Sequence, residues 1–289
     1  MMHTHAEIHA PKRTRLATPS KPDLANVFAR QHAQLRLSAA RVARNPAIEA
    51  VHDARVAARR LRALLDALGD LEGVEVRRYE RDLRALALEL GAVRQADVLR
   101  ESVRGALAKL ERVDAPAQRA LLAQLNRECL AARRHLRAHT RSLAWRERLS
   151  RLELSSADVQ GLLRRGGDPQ NAVRDMIVNS AQAFWRARRR PDRNAVRLHR
   201  LRIRAKAHRY VVESLAPFMG LDARHFSTAA RGVQQGIGEY LDARIARKWL
   251  EAHAQEIDRA LAQRVSRRLR AGGRKALKRA RQGLRSLSG

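Results

Sequence analysis

The sequence reads VHDARVAARRLRALL over residues 51–65 and LHRLRIRAKAHRYVV over residues 198–212. These stretches begin 147 residues apart (198 minus 51), and a histidine and three cations of the first coincide with a histidine and three cations of the second. Farther along, LGAVRQADV begins at Leu90 and IGEYLDARI at Ile237, again 147 residues apart. Two similarities with one common shift predict an internal duplication.

The spacing within each stretch predicts an amphipathic α-helix. At 3.6 residues per turn, the histidine and the three repeated cations share one side of each helix, and the apolar residues occupy the adjacent side. In the first half these residues are His52, Arg55, Arg59 and Arg62, and in the second half they are His199, Arg202, Lys206 and Arg209. Arg60, Arg200 and Arg204 are predicted to point elsewhere. Each helix is therefore expected to carry an apolar stripe for the core and a cationic stripe beside it.

The remainder of the chain favours an all-α fold. Alanine, leucine and arginine are strong helix formers, whereas aromatic residues make up 3% of the sequence. Apolar residues recur three and four positions apart, and we predict two helical bundles related by the duplication. The predicted helices cover 23–44, 47–68, 74–90, 95–112, 116–142, 169–190, 192–216, 223–240, 242–262 and, less clearly, 273–287.

Composition shifts suggest the domain limits. Three prolines before residue 23 indicate a disordered basic tail over residues 1–22. A single domain is predicted over 23–262, with a first helical half at 23–150 and a second at 165–262. A looser, glycine-containing stretch, 150–168, separates the halves. Residues 264–289 contain ten Lys or Arg and no acid, so 263–289 is predicted to be a basic C-terminal tail.

The charge balance points to an acidic partner. Lys and Arg number 60 and Asp and Glu 29, which gives a formal net charge of +31. Such a chain repels itself unless anions neutralise it. Each cationic stripe extends roughly 15 Å at 1.5 Å per residue, which suits a chain of phosphates better than a single phosphate. Arginine contributes a fork that binds two phosphate oxygens, and histidine contributes a further donor.

The H-x-x-R-V-x-x-R-R-L-R pattern at His52 to Arg62, with its second version at His199 to Arg209, resembles the CHAD family, the conserved histidine α-helical domain. The LGAVRQADV stretch is similar to that family's second signature. The resemblance implies two helical bundles with pseudo-twofold symmetry around a basic central groove or pore. It also implies binding of inorganic polyphosphate and association with polyphosphate granules. Arg94, in the second signature, is expected to contribute to the groove.

The second signature departs from the family's pattern at its acidic positions. Gln95 stands where the family usually has Asp, so Asp97 alone remains of that acidic pair in the first half. Asp242 aligns with Gln95 in the second half. We expect these acids to orient basic side chains and not to catalyse a reaction.

The sequence favours polyphosphate binding over catalysis. The sequence contains no H-E-x-x-H pattern, no phosphate-binding glycine-rich loop and no acidic cluster suited to magnesium, so neither catalytic residues, a metal site nor a cofactor is predicted. With one cysteine and no apolar run of membrane length, a cytoplasmic protein is expected. Non-specific nucleic-acid binding through the basic surface and the C-terminal tail is the main alternative. A scaffold that docks an acidic protein is another.

Overall fold

The computed structural model describes residues 23–69, 74–165, 167–188, 194–219 and 224–286. The predicted N-terminal tail, residues 1–22, lies outside these ranges. Within them the chain is helical apart from short connections, with one 3-10 turn at Ala216–Met219 and no strand. The helices are α1 (Leu24–Arg44), α2 (Ile48–Leu68), α3 (Val74–Leu107), α4 (Ala115–Thr140), α5 (Leu143–Arg165), α6 (Pro169–Arg188), α7 (Ala195–Leu215), α8 (Arg224–Ala252) and α9 (Arg259–Ser286). The predicted all-α fold is confirmed.

Short polar side chains cap the N-termini of several helices. The carboxylate of Asp23 accepts a hydrogen bond of 3.2 Å from the backbone N–H of Asn26 at the start of α1. Asp114 accepts one of 2.8 Å from Ala117 at the start of α4, and Asn194 caps α7 in the same way. These caps satisfy backbone donors that have no partner within the helix.

Among the described residues, four apolar clusters hold the helices together. One lies within α1 to α5 and includes Phe28, Tyr79 and Trp145, and another joins α6 to α9. The remaining two join the halves. The C-terminal part of α2 packs there against α7, and the C-terminal part of α3 packs against α8. On α2, the repeated cationic residues precede the residues that enter the cluster shared with α7.

The helix bounds follow the shift found in the sequence. Adding 147 to the bounds of α2, 48 and 68, yields 195 and 215, which are the bounds of α7. On the same shift α1, α3 and α4 correspond to α6, α8 and α9, each to within three residues. α5 has no such counterpart among the described helices. The duplication itself stays a prediction, and these bounds are consistent with it.

Several boundaries differ from those expected. The predicted helices 74–90 and 95–112 form one continuous helix, α3. Gly91 does not interrupt this helix, because the residues before and after it are held by packing. The stretch 150–168, expected to be loose, is helical up to Arg165 and belongs to α5. Because α5 packs on α1 and α3, it belongs to the first half, which therefore extends beyond the expected limit at residue 150.

The segment predicted as a basic tail, 263–289, is helical as far as residue 286, the end of α9. Its apolar residues recur three and four positions apart and are buried, among them Val265, Leu269 and Leu277. At Gly236 of α8, an added Cβ would lie 2.6 Å from the carbonyl oxygen of Ala276, so the two helices are in close contact. The density of cations concealed this periodicity in the sequence. None of the described helices is long and apolar enough to cross a membrane.

Candidate functional site

The cationic stripes of α2 and α7 face each other. The two helices pack side by side, and the charge of Arg202 on α7 lowers the pKa of both Arg55 and Arg59 on α2. Lys206 lies in the same group, because its pKa responds to all three arginines. We call these four half-buried residues, Arg55, Arg59, Arg202 and Lys206, the central cluster.

Burial and mutual repulsion weaken the cationic forms within the central cluster. Burial and the charges of nearby arginines lower the pKa of Arg55 to about 10. The same two causes lower the pKa of Lys206 to about 7, and the carboxylate of Asp242 on α8 opposes them. The Nε of Arg202 is buried and has no hydrogen-bond partner in the described part of the chain. The central cluster therefore contains unneutralised positive charge, which an anion would relieve.

The two repeated histidines lie beside the central cluster. Burial lowers the pKa of His52, and the charges of Arg94 and of Lys206, in the opposite half, lower it further. Burial also lowers the pKa of His199, as do the charges of Arg202 and of Arg59, again across the halves. Both rings are therefore mostly neutral near pH 7 in the free protein. An anion bound over them would favour the protonated form.

Two glycines make room for the inner arginines. A Cβ added to Gly91 on α3 would lie 3.0 Å from a terminal nitrogen of Arg55. A Cβ added to Gly238 on α8 would lie 3.0 Å from Nε of Arg202. Gly91 and Gly238 are themselves 147 residues apart, as are Arg55 and Arg202. In each half, a guanidinium group therefore packs against a glycine of the neighbouring helix, where no side chain obstructs it.

The central cluster opens into a cavity of about 790 Å³ between α2, α3 and α7, which we call the α2–α7 cavity. Three of the predicted site residues line this cavity: Arg59, Arg62 and Lys206. Arginines that the sequence reasoning did not assign to the site also line it: Arg77, Arg81, Arg84, Arg200 and Arg204. The three on α3 recur at helical spacing, a signal that was present in the sequence within the predicted helix 74–90.

A second cavity of about 480 Å³ lies between α3, α8 and α9 and is called the α8–α9 cavity below. Arg94 lines it, together with Asp242, whose charge also acts on the central cluster. Further cations line this cavity: Lys109, Arg268, Lys275 and Arg279. Three of these belong to α9, so the sequence reasoning missed them when it treated that segment as a tail. Glu101 and Glu239 make this cavity less positive than the α2–α7 cavity.

Comparison with known proteins identifies the fold. The family model described as CHAD domain matches residues 26–251, which is 226 of the 289 residues. The chain belongs to the CHAD family. Both cavities and the central cluster are formed chiefly by helices within the matched range, and α9, which lines the second cavity, lies beyond it.

Two solved structures resemble this CHAD protein. The crystal structure of the CHAD domain from the plant Ricinus communis is 26% identical with a TM-score of 0.72, and the match covers 96% of this chain and 97% of that one. PptA from Streptomyces chartreusis is 20% identical with a TM-score of 0.64, and the match covers 91% of this chain and 97% of that one. No curated protein sequence matches significantly. The likeness to PptA concerns the fold alone.

The acidic positions of the second CHAD signature lie in different surroundings. Asp97 is buried and accepts a hydrogen bond of 2.7 Å from Arg133 of α4. Gln95 is exposed. Burial raises the pKa of Asp242, although the neighbouring Arg202 and Lys206 lower it. Asp242 is thus the member of this set that acts electrostatically on the central cluster.

The outer ends of the two stripes differ. Arg62 is exposed at the α2–α7 cavity. Arg209 is held by a carboxylate, because its Nη1 lies 2.6 Å from Oε1 of Glu213. Its guanidinium carbon also lies 4.6 Å from the ring centroid of Tyr210. Arg62 is therefore more available to a ligand than Arg209.

The arginines expected to point away from the site divide into two groups. Arg60 pairs with Glu213 of α7 at 3.4 Å and connects the two halves. Arg200 and Arg204 line the α2–α7 cavity, contrary to expectation. The reason is that α3 and α7 line opposite sides of this cavity. Residues of α7 outside its cationic stripe therefore also reach the cavity. Arg204 additionally pairs with Asp66.

Proposed function

We propose that this protein binds inorganic polyphosphate in the groove formed by the central cluster and the two cavities, and that it does so without catalysis. The proposal rests mainly on the central cluster, in which cations from both halves of the chain lower one another's pKa. Half-buried like charges at such close range favour a bound polyanion. The CHAD resemblance implies the same ligand.

The dimensions of the groove favour a long ligand. α3 contributes residues to both cavities, from Arg77 in the α2–α7 cavity to Gly105 in the α8–α9 cavity. At 1.5 Å per residue, those 28 positions span about 42 Å along the helix axis. A linear chain of phosphates can contact cations over this whole distance. A single phosphate would occupy a small part of it.

Titration with polyphosphates of increasing length tests the proposal. Affinity is expected to rise with chain length until both cavities are reached, and to fall steeply with added salt because each phosphate contact releases counterions. Long polyphosphate and orthophosphate would be compared by calorimetry at physiological ionic strength. Equal affinity for all chain lengths above three phosphates would contradict an extended site.

Nucleic acid is the second candidate, and the geometry of the cations distinguishes it. Single-stranded nucleic acid is usually bound by aromatic side chains that stack on the bases. Of the tryptophans, Trp145 is buried in the core and Trp185 lies on α6, stacked under Arg188. A duplex is stiff, and the half-buried central cluster suits a thin, flexible chain better. Competition at matched phosphate concentration would decide: if long polyphosphate fails to displace DNA, nucleic acid is the better ligand.

A scaffold for an acidic protein is the third candidate. It would form a stoichiometric complex that survives excess polyphosphate, which size-exclusion chromatography would detect. Association with polyphosphate granules follows from the preferred function. A fluorescent fusion is expected to co-localise with granules and to become diffuse when Arg55 and Arg202 are both replaced by glutamine.

The absence of catalysis is also part of the proposal. Among the described residues, no group of three or more His, Cys, Asp or Glu side chains is arranged to hold a metal ion. Asp53, the acid next to His52, is hydrogen-bonded to Arg41 at 2.9 Å. Release of phosphate from polyphosphate, lost when His52 and His199 are both replaced by alanine, would contradict a purely binding function.

A further inference from the structure

Lys206 is chemically distinct from the residues around it. The chain contains seven lysines among its 60 basic residues, and Lys206 stands where the first half has Arg59. A lysine amine can act as a nucleophile once it is neutral, whereas a guanidinium group stays protonated. The replacement therefore puts one potential nucleophile among fixed cations.

The surroundings of Lys206 would bring a phosphate to its amine. Lys206 lines the α2–α7 cavity, so small molecules can reach it. Arg59 of α2 lines the same cavity, and the charges of Arg202 on α7 and Arg55 on α2 also act on the Lys206 amine. The histidines of both halves lie within the same electrostatic range, and Asp242 of α8 is the opposing carboxylate.

We propose that Lys206 is a site of acylation by acyl phosphates, with the arginines of the central cluster holding the phosphate group. This inference rests on the proposed function, because it uses the same phosphate-binding arginines. The neutral Nζ attacks the carbonyl carbon, a C–N bond forms and the C–O bond to phosphate breaks. The phosphate leaves with the electron pair of that bond, and one amine proton passes to it. The product is an uncharged amide and inorganic phosphate.

The protonation state of Lys206 supports the reaction at neutral pH. With its pKa lowered to about 7, about half of the amine is neutral at pH 7, against about 0.04% for a lysine of ordinary pKa. The arginines that lower this pKa are the groups that would bind the phosphate. Acylation would remove one charge from the central cluster and thereby weaken the binding of polyphosphate.

Site-resolved mass spectrometry after treatment with acetyl phosphate at pH 7 tests the proposal. We expect Lys206 to be acetylated at least about ten-fold faster than the exposed Lys248, because Lys206 lies beside arginines that can bind the phosphate group of the reagent. N-hydroxysuccinimidyl acetate carries no phosphate and serves as the matched reagent. With this reagent, the rate of acetylation of Lys206 relative to Lys248 is expected to be smaller than with acetyl phosphate. The variant Arg59→Gln should reduce this difference between the two reagents.

Parallel binding measurements separate the two proposals. If polyphosphate binds but Lys206 reacts no faster than Lys248, the acylation proposal fails and the binding function stands. If long polyphosphate neither binds nor protects Lys206 from acetyl phosphate, the proposed function fails. Protection of Lys206 with no protection of Lys248 supports both, and Lys206→Arg should eliminate the labelled peptide.

Discussion

The arginines of this CHAD protein occur in two contrasting settings, the central cluster and the interface of α3 with α4 and α5. At that interface several arginines have a carboxylate partner. Arg133 donates to Asp97 at 2.7 Å, and Arg151 donates two hydrogen bonds to Asp82 at 3.0 and 3.1 Å. In the central cluster, the carboxylate of Asp242 acts on Lys206 and on Arg202, and no carboxylate is among the groups that shift the pKa of Arg55 or Arg59 in the described part of the chain.

The contrast shows how a chain with a net charge of +31 distributes its few acids. At the α3–α4–α5 interface the carboxylates hold helices together, and the charge there is already compensated. In the central cluster the compensation is incomplete, and burial makes the remaining repulsion stronger than it would be in water. The same residue type therefore stabilises the fold in one region and is left available for a ligand in the other.

Removing charge from the central cluster should have the largest effect on binding. In the double variant Arg55→Gln and Arg202→Gln, two charge-assisted contacts are lost, which corresponds to about 3–6 kcal/mol, or a loss of affinity of roughly 100-fold or more. Calorimetric titration with long polyphosphate would measure it. Arg119→Gln with Arg141→Gln, two exposed arginines, is the charge-matched control. Equal losses in both variants would mean that bulk charge alone attracts the ligand.

Breaking a pair at the α3–α4–α5 interface should affect stability and leave binding intact. Asp97→Ala leaves Arg133 without its buried partner, and we expect the free energy of unfolding to fall by about 3 kcal/mol. Urea denaturation measures this, and polyphosphate affinity is expected to stay within two-fold, or about 0.4 kcal/mol. Asp53→Ala removes an exposed pair with Arg41 and is expected to cost less than about 1 kcal/mol. A loss of affinity in Asp97→Ala would show that the two regions are coupled.

The two regions should also differ in their response to pH. The pKa of Lys206 is lowered to about 7 in the free protein, and a bound polyanion would raise it. Binding therefore takes up a proton above pH 7, and affinity is expected to fall about ten-fold between pH 6.5 and pH 8. Titrations in buffers of different ionisation enthalpy would measure the proton uptake. Lys206→Arg should flatten this dependence, and an unchanged profile in that variant would exclude Lys206 as its cause.

The effect of pH on the stability of the free protein has the opposite sign to its effect on affinity. Because the folded-state pKa of Lys206 is lower than its unfolded value, the unfolded chain binds more protons between about pH 7 and pH 10. The contribution of Lys206 to stability therefore increases with pH over that range. Thermal unfolding of the ligand-free protein at pH 7 and pH 9 measures it against Lys206→Arg.

The glycines that accommodate the inner arginines should produce the smallest effect. Gly91→Ala places a Cβ 3.0 Å from the terminal nitrogen of Arg55, so the side chain must shift by a few tenths of an ångström. We expect a loss of affinity of about five-fold, equivalent to about 1 kcal/mol of contact geometry. Gly232→Ala on α8 meets nothing within 4 Å and is the control. Unchanged affinity in Gly91→Ala would show that the position of Arg55 is not critical.

Local features of the fold could be predicted from the sequence. The helix that carries Arg55 and Arg59 was expected to begin at residue 47 and begins at Ile48, and the helix expected over 23–44 extends from Leu24 to Arg44. These features depend on residues within one or two turns of each other. Less could be predicted of α9, where many cations obscured the apolar repeat, and of α3, which was expected as two segments and is one continuous helix.

The candidate site could be predicted only in part. His52, His199 and the residues of the central cluster follow from the repeated pattern, and the structure brings all of them together. That these residues bind polyphosphate stays a prediction. Arg77 and Lys275 at the two cavities were missed, because each lies on a helix whose position around the groove is not encoded in its own spacing.

The amino-acid sequence by itself determined the helices, the cationic stripes on α2 and α7 and the excess of positive charge, because helical periodicity and net charge are local or additive properties. The tertiary structure alone decided that the two stripes face each other and that Arg60 pairs with Glu213, 153 residues away. It also decided which arginines have a carboxylate partner. The physical reason is that apolar faces attract without direction, so which helices meet depends on how the whole set packs.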